Sequence, residues 1–139
     1  MKGMKNMRLW HQSLISKLPR QQLLGQHREC CALRGRGWGR NHSVVNYVFE
    51  HEPEYLIAYH YLVMDEMRYR GYHPDDVWID ANWRGNTLGR EMGWASMRQA
   101  YEIITKSKFT NTPIYPEHNN EYLQECIDNL KSKGIEIIL

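Results

Sequence analysis

Glu29 is the only carboxylate in the first 49 residues of a 139-residue chain. Nine bases surround it between Met1 and Arg40: Lys2, Lys5, Arg8, Lys17, Arg20, Arg28, Arg34, Arg36 and Arg40. From residue 41 onward the balance reverses to nine bases against fifteen acids, so the net charge of +2 hides a strong asymmetry. A basic face of this kind suits a polyanion. An acid inside that face weakens phosphate binding, which makes Glu29 a candidate for proton-transfer chemistry. An ordinary helical surface acid pairs with a base three or four residues away. Those positions hold Gly25, Gln26, Ala32 and Leu33, and none is basic. Arg28 is adjacent but projects about 100° away on a helix.

Other reactive residues carry weaker patterns. The seven histidines are His11, His27, His42, His51, His60, His73 and His118. No two lie three or four residues apart, and no HExxH or CxxC occurs, so no metal and no cofactor is expected. Cys30, Cys31 and Cys126 are odd in number and two are adjacent, which fits reduced thiols and a cytoplasmic protein better than a disulfide framework. The Gly-rich GRGWG, Gly35 to Gly39, lacks the Lys-Ser/Thr of a phosphate-binding loop and follows no evident strand. It either meets a DNA backbone or ends a helix. Five Trp and nine Tyr suit core packing, and a few could stack on bases.

The elements that must position these residues read as helices. Pro19 suits the first turn of a helix reaching about Leu33. On it, Leu23, Leu24, Cys30 and Cys31 share an apolar side that includes His27, read as a hydrogen-bonded core histidine. Glu29 projects almost opposite, with Gln22 and Gln26 near it and Gln21 and Arg28 on the same polar face. A second helix is expected from Pro53 to Arg70, stopping at Gly71, with Tyr55, Leu56, Tyr59, Leu62, Val63 and Met67 as its apolar stripe. His73 to Gly85 reads as loop. A third helix is expected over about 88–104 and a fourth over about 118–133, ending at Gly134. The tail IEIIL reads as a short strand or a cap on the core. The expectation is an all-α, compact single domain of three to four helices with long loops, covering 1–139. No apolar run is long enough for a membrane span, and the basic N-terminus lacks the apolar region of a secretory signal.

Met7 to Leu33, MRLWHQSLISKLPRQQLLGQHRECCAL, resembles the start of the pyrimidine-dimer DNA glycosylase family, in a bacterial branch. The shared elements are a start at Met, a Leu-Ile-x-x-Leu approach, an early helical Gln, and His27-Arg28-Glu29 where the family has Tyr-Arg-Glu. The likeness continues through His42 and Arg68-Tyr69-Arg70-Gly71-Tyr72, and returns at Trp83-Arg84-Gly85. The resemblance implies a compact all-α fold and a glycosylase with abasic-site lyase activity on double-stranded damaged DNA, acting as a monomer. Its nucleophile would be the α-amine of a processed N-terminus, which forms an imine with the sugar. Glu29 would take the catalytic acid's place, with Met7 and Arg8 at the amine. Arg28 would grip a phosphate, Gln21 and Gln22 would face the DNA, and Arg20, Arg34, Arg36, Arg40 and His42 would complete the basic surface.

The pattern departs from the family at two points. The matching start, Met7, is followed by Arg8 instead of a small residue, and MKGMKN precedes it; residues 1–6 read as a disordered extension or a misassigned start. Ala32 replaces a DNA-gripping arginine, for which Arg34, Arg36 or Arg40 could compensate. Two other readings remain open. One is a non-catalytic DNA-binding module that kept the basic face. The other is a protein-interaction domain using its aromatic surface.

Overall fold

The computed structural model describes residues 8–36, 38 and 46–139. Among them are four α-helices, three short 3-10 helices and no strand. The α-helices are α1 (Arg20–Arg34), α2 (Pro53–Tyr69), α3 (Met97–Thr110) and α4 (Asn120–Ser132). The 3-10 helices cover Gln12–Lys17, Asn46–Glu50 and Asp76–Ile79. The all-α expectation holds, and no helix is long and apolar enough to cross a membrane.

The centre of the fold is α2. Leu56, Ile57, Ala58, Tyr59, His60, Tyr61, Val63, Met64 and Met67 are all buried along it, and it packs against both α1 and α3. A helix apolar around most of its circumference can only be stable with neighbours on several sides. Its ends match the sequence signals. Pro53 sits in the first turn, and Gly71, at φ 88°, follows the last one. Tyr72 N–H donates to Met67 O at 2.8 Å and Gly71 N–H to Arg68 O at 2.9 Å, the pair of bonds that closes a helix through a left-handed residue. The same arrangement ends α4 at Gly134 (φ 81°), where Ile135 turns back against the core. The tail therefore caps the core and forms no strand.

The third helix begins nine residues later than its expected start near 88. Gly89 and Gly93 have φ of 71° and 84°, so the chain turns where a helix would need negative φ. An antiparallel bridge between Trp83 and Arg90 holds this loop, together with the Arg84–Glu91 and Arg90–Asp80 ion pairs and Asn82, whose Oδ1 accepts from Ala95 N–H. The helix starts once Ser96 accepts from Gln99 N–H, and buried Glu54 accepts from Ser96 N–H at 2.7 Å. A carboxylate at that end also favours the helix dipole.

Arg34 corrects one expectation. Placed on the DNA surface by sequence, it is fully buried. Its guanidinium donates to the carbonyls of Trp78 (2.8 Å), Asp80 (2.6 Å) and Trp83 (2.9 Å), and lies over the Trp78 ring. Arg84 answers from the loop, donating to Arg34 O at 2.8 Å and to Gly35 O at 3.3 Å. The Trp83-Arg84-Gly85 motif is thus a cap: a cation set on the C-terminal carbonyls of α1, where the helix dipole is negative. Gly35 is required at this meeting, since a Cβ there would lie 2.8 Å from Arg84 O. Arg34→Ala would strand three loop carbonyls and leave a cavity. We expect a loss of about 3–5 kcal/mol, read by urea denaturation; a loss under about 1 kcal/mol would contradict the packing role.

Candidate active site on the first helix

The segment entering the first 3-10 helix crosses the polar face of α1, and Gln26 fastens it there. Gln26 is 1% exposed. Its Oε1 accepts from Trp10 N–H at 2.6 Å, and its Nε2 donates to Arg8 O at 2.7 Å. These two bonds span one residue of extended chain, as a neighbouring strand would, and they fix the orientation of the amide. Tyr59 from α2 adds its hydroxyl, 2.6 Å from Trp10 O and 2.7 Å from Gln26 Oε1. From the far end of the chain, Tyr122 donates to Leu9 O at 2.6 Å.

This docking brings the backbone nitrogen of Arg8 to 2.9 Å from Glu29 Oε2. Gln26 Nε2 lies 3.3 Å from the same oxygen. Glu29 is consequently not the free surface acid that the helical projection suggests. It faces away from the core stripe, but residues 8–10 form a second layer over it. Burial pushes its carboxyl up to about 7, although the Arg8 N–H, the charges of Lys133 and Arg8, and the Gln26 amide all act in the opposite direction. A carboxyl near 7 can both donate and accept a proton at neutral pH, which general acid–base catalysis requires.

The other expected site residues divide. Arg20, Gln21, Arg28 and Arg36 are exposed, and Gln22 is half-buried. Gln21 and Arg28 are seven residues apart, hence on one face of α1, and Glu29 opens beside them. Met7, Arg40 and His42 lie outside the described residues, as does most of GRGWG; Gly35 ends α1. Arg8 is half-buried, with its guanidinium carbon 5.3 Å from the Trp10 ring centroid. Lys133 is a participant that sequence reading missed. Its Nζ lies 5.4 Å from that centroid, more than 120 positions along the chain. The available signal was Tyr-x-x-x-Cys spacing in α4, which sets a face against the first residues, but nothing in it pointed to residue 133.

His27, Cys31 and His60 meet, with donor atoms within 4.8 Å of one another. The spacing of three ligands is present, yet the hydrogen bonds oppose a cation. Arg34 Nη1 approaches His60 Nδ1 at 3.1 Å, which makes that nitrogen an acceptor and puts the ring proton on Nε2. His60 Nε2 in turn faces His27 Nδ1 at 2.8 Å. A metal would need the Nε2 lone pair and would sit near a buried guanidinium. The trio is a relay of hydrogen bonds that runs from Arg34 to the half-buried face of α1, with His27 as the hydrogen-bonded histidine expected from its position.

Two outcomes follow for solution behaviour. Gln26→Ala removes the pairing with Arg8 and Trp10 and leaves Tyr59 short of a partner. It should cost about 2–4 kcal/mol in denaturant titrations, and should expose the Arg8–Trp10 segment to amide exchange. The pH dependence is set by histidines. Burial lowers His11, His27 and His60, and pushes His118 down to about 3. Below the unfolded-state value of 6.5 the unfolded chain takes up protons at these sites before the folded one does. Stability should therefore fall as pH drops from about 6.5 toward 4. Glu29, raised from 4.5 to about 7, acts in the opposite sense over that window, as one group against four. Unfolding free energies that rise on acidification would contradict this assignment.

Searches of curated proteins and of solved structures return no significant match. The family model described as pyrimidine dimer DNA glycosylase matches residues 7–80. The matched stretch covers Arg8, Gln26, Glu29 and Tyr59, and it spans more than half of the sequence. The chain therefore belongs to the pyrimidine dimer DNA glycosylase family.

Proposed function

We propose that this protein excises damaged bases, pyrimidine dimers foremost, from double-stranded DNA and then cleaves the strand as an abasic-site lyase. One observation carries the reading: the nitrogen of Arg8 lies 2.9 Å from Glu29. That is the position an α-amine would occupy if the chain began at Arg8. An α-amine has a pKa of about 7.7–8.0, so an appreciable fraction is a free nucleophile at neutral pH.

In this reading the amine attacks C1′ of the damaged nucleotide. The glycosidic bond breaks, and Glu29 supplies the proton taken by the departing base. The bonded nitrogen gives up a proton, the C1′–O4′ bond breaks with a proton taken by O4′, and the imine that forms acidifies the 2′ hydrogens. Glu29 as carboxylate removes one of them, and the 3′ phosphate leaves by β-elimination. Because one residue gives a proton and later takes one, a carboxyl near 7 suits both steps. The Gln26 and Tyr59 clamp holds the amine-bearing segment at the carboxylate, so the reacting groups need not be ordered on binding.

Arg28, Gln21 and Arg20 on the exposed side of α1, with Arg36 beyond its end, supply phosphate and sugar contacts. In this reading Gln22, two turns before Glu29 on the same helix, borders the carboxylate. A lesion weakens stacking and lowers the energy needed to extrude a nucleotide, which contributes to selectivity.

Glu29→Gln keeps the shape and the bond from Arg8 but cannot cycle a proton. We expect excision and strand cleavage to fall by roughly 100- to 10,000-fold, with affinity for dimer-containing duplex unchanged. Gel assays of cleavage beside fluorescence binding separate the two. Undiminished cleavage would exclude the mechanism, and binding without any cleavage by the parent chain would leave a DNA-binding module.

A further inference from the structure

The loop that caps α1 contains two tight turns whose apices carry exposed apolar side chains. Met92 is 80% exposed and Leu88 47%. The first turn is closed by Gly89 N–H donating to Gly85 O at 2.7 Å, with Arg84 N–H on Gly89 O at 2.9 Å. In the second, Trp94 N–H donates to Glu91 O at 3.1 Å, and Gly93 takes the left-handed third place at φ 84°. Such a turn accepts most residues at its second place. Met92 fills that place, so the turn itself does not call for an apolar side chain there.

This apex is held firmly to α1. Arg84 donates to Arg34 O and Gly35 O at one side and to Glu91 Oε1, at 2.8 Å, at the other. Its guanidinium carbon lies 4.4 Å from the Trp94 ring centroid. Glu91 and Trp94 are the first and last residues of the second turn, so one arginine ties both of its ends to the end of the helix. Asn82 adds another tie, since its O accepts from Glu91 N–H and its Oδ1 from Ala95 N–H, each at 2.9 Å. Loops without such ties are the first parts of a fold to open. The position of the turns is fixed as well. Gln21, Arg28 and Gly35 follow at intervals of seven residues, on one row of α1. At the end of that row a Cβ on Gly35 would lie 2.8 Å from Arg84 O. The base of the loop therefore closes the row that presents Gln21 and Arg28, about 9 Å of helix rise beyond Glu29. Along a duplex that rise corresponds to roughly three base pairs.

Resting on the glycosylase reading, we propose that Met92 is a wedge for DNA: it enters the base stack a few base pairs from the nucleotide at Glu29, with Leu88 beside it. Apolar side chains inserted in this way unstack a base step and kink the duplex. A kink near a lesion, where stacking is already weakened, lowers the energy needed to extrude the damaged nucleotide. The residue type fits, because methionine is unbranched, flexible and polarisable, and its sulfur packs well on aromatic rings. The surrounding charge fits too. Arg28 and Arg36 are exposed on the adjoining part of the helix, so phosphates can be held while the apex meets the bases. The two apices are set among the exposed polar Asn86, Thr87, Arg90 and Glu91, which makes them points for insertion and too small a patch for a stable protein interface.

The test places a fluorescent base analogue, whose emission rises on unstacking, at successive positions on both sides of a pyrimidine dimer in duplex DNA. With the full chain, the expected result is a rise confined to one side, a few base pairs from the dimer. Met92→Ala changes only an exposed side chain. It should remove the rise and slow cleavage of the paired duplex by roughly 10- to 100-fold. Placing the same dimer inside an unpaired bubble should restore most of that loss, and Met92→Leu should keep the rise. Met92→Ala that matches the parent on paired duplex overturns the wedge and leaves the glycosylase reading standing. So does a parent chain that cleaves the duplex with no rise at any position. A parent chain that cleaves neither substrate removes the glycosylase reading and this proposal together. Loss of self-association by Met92→Ala in sedimentation, with cleavage of paired duplex unchanged, assigns the apex to a protein contact and also overturns the wedge.

Discussion

The site depends on a side-chain amide acting as a strand. Gln26 offers one acceptor and one donor at the spacing of extended backbone, and Trp10 N–H and Arg8 O occupy them. An amide buried to 1% exposure must have its groups satisfied, so the segment has little freedom to lie elsewhere. The placement of the Arg8 nitrogen on Glu29, of Trp10 under its two cations and of Leu9 against Tyr122 all follow from that pairing. The raised carboxyl follows too, because the docked segment is what removes water from Glu29.

A second constraint acts at the other end of α1. Arg34 is inserted into the loop of residues 78–83, and Arg84 returns from that loop to the last carbonyls of the helix. The two arginines make each element the partner of the other. Helix α1 is therefore fixed at its middle by Gln26 and at its C-terminus by a reciprocal pair of guanidinium groups. Arg20, whose guanidinium carbon lies 5.5 Å from the Tyr72 ring centroid, and Arg28 stay on the exposed face, where charge suits a polyanion. It also shows why a count of bases exaggerates a DNA surface, since some arginines serve the interior.

Helix existence was legible because Pro19, Pro53, Gly71 and Gly134 act locally, through φ preferences and missing or freed backbone bonds. The start of α3 was not legible, because the glycines at 89 and 93 outweigh an otherwise helical composition only once their positive φ is known. Glu29 stood out by charge and spacing alone. Its burial did not, because a helical projection describes one helix and is blind to a segment laid across it. The same blindness hid Arg34, whose partners are backbone carbonyls of a loop more than 40 residues away. Lys133 and Tyr122 were hidden by distance along the chain, since their role is defined only by tertiary contact.

The bond from Tyr122 to Leu9 joins residues separated by 113 positions. Such a contact closes nearly the whole chain into one loop, and closure of long loops is slow relative to local helix formation. During synthesis α1 and α2 can form and pack while α4 is still within the ribosome. The floor beneath Glu29 is thus laid early, and the wall that α4 supplies arrives late. Until α4 docks, Glu29 and the basic face stand in a half-built state.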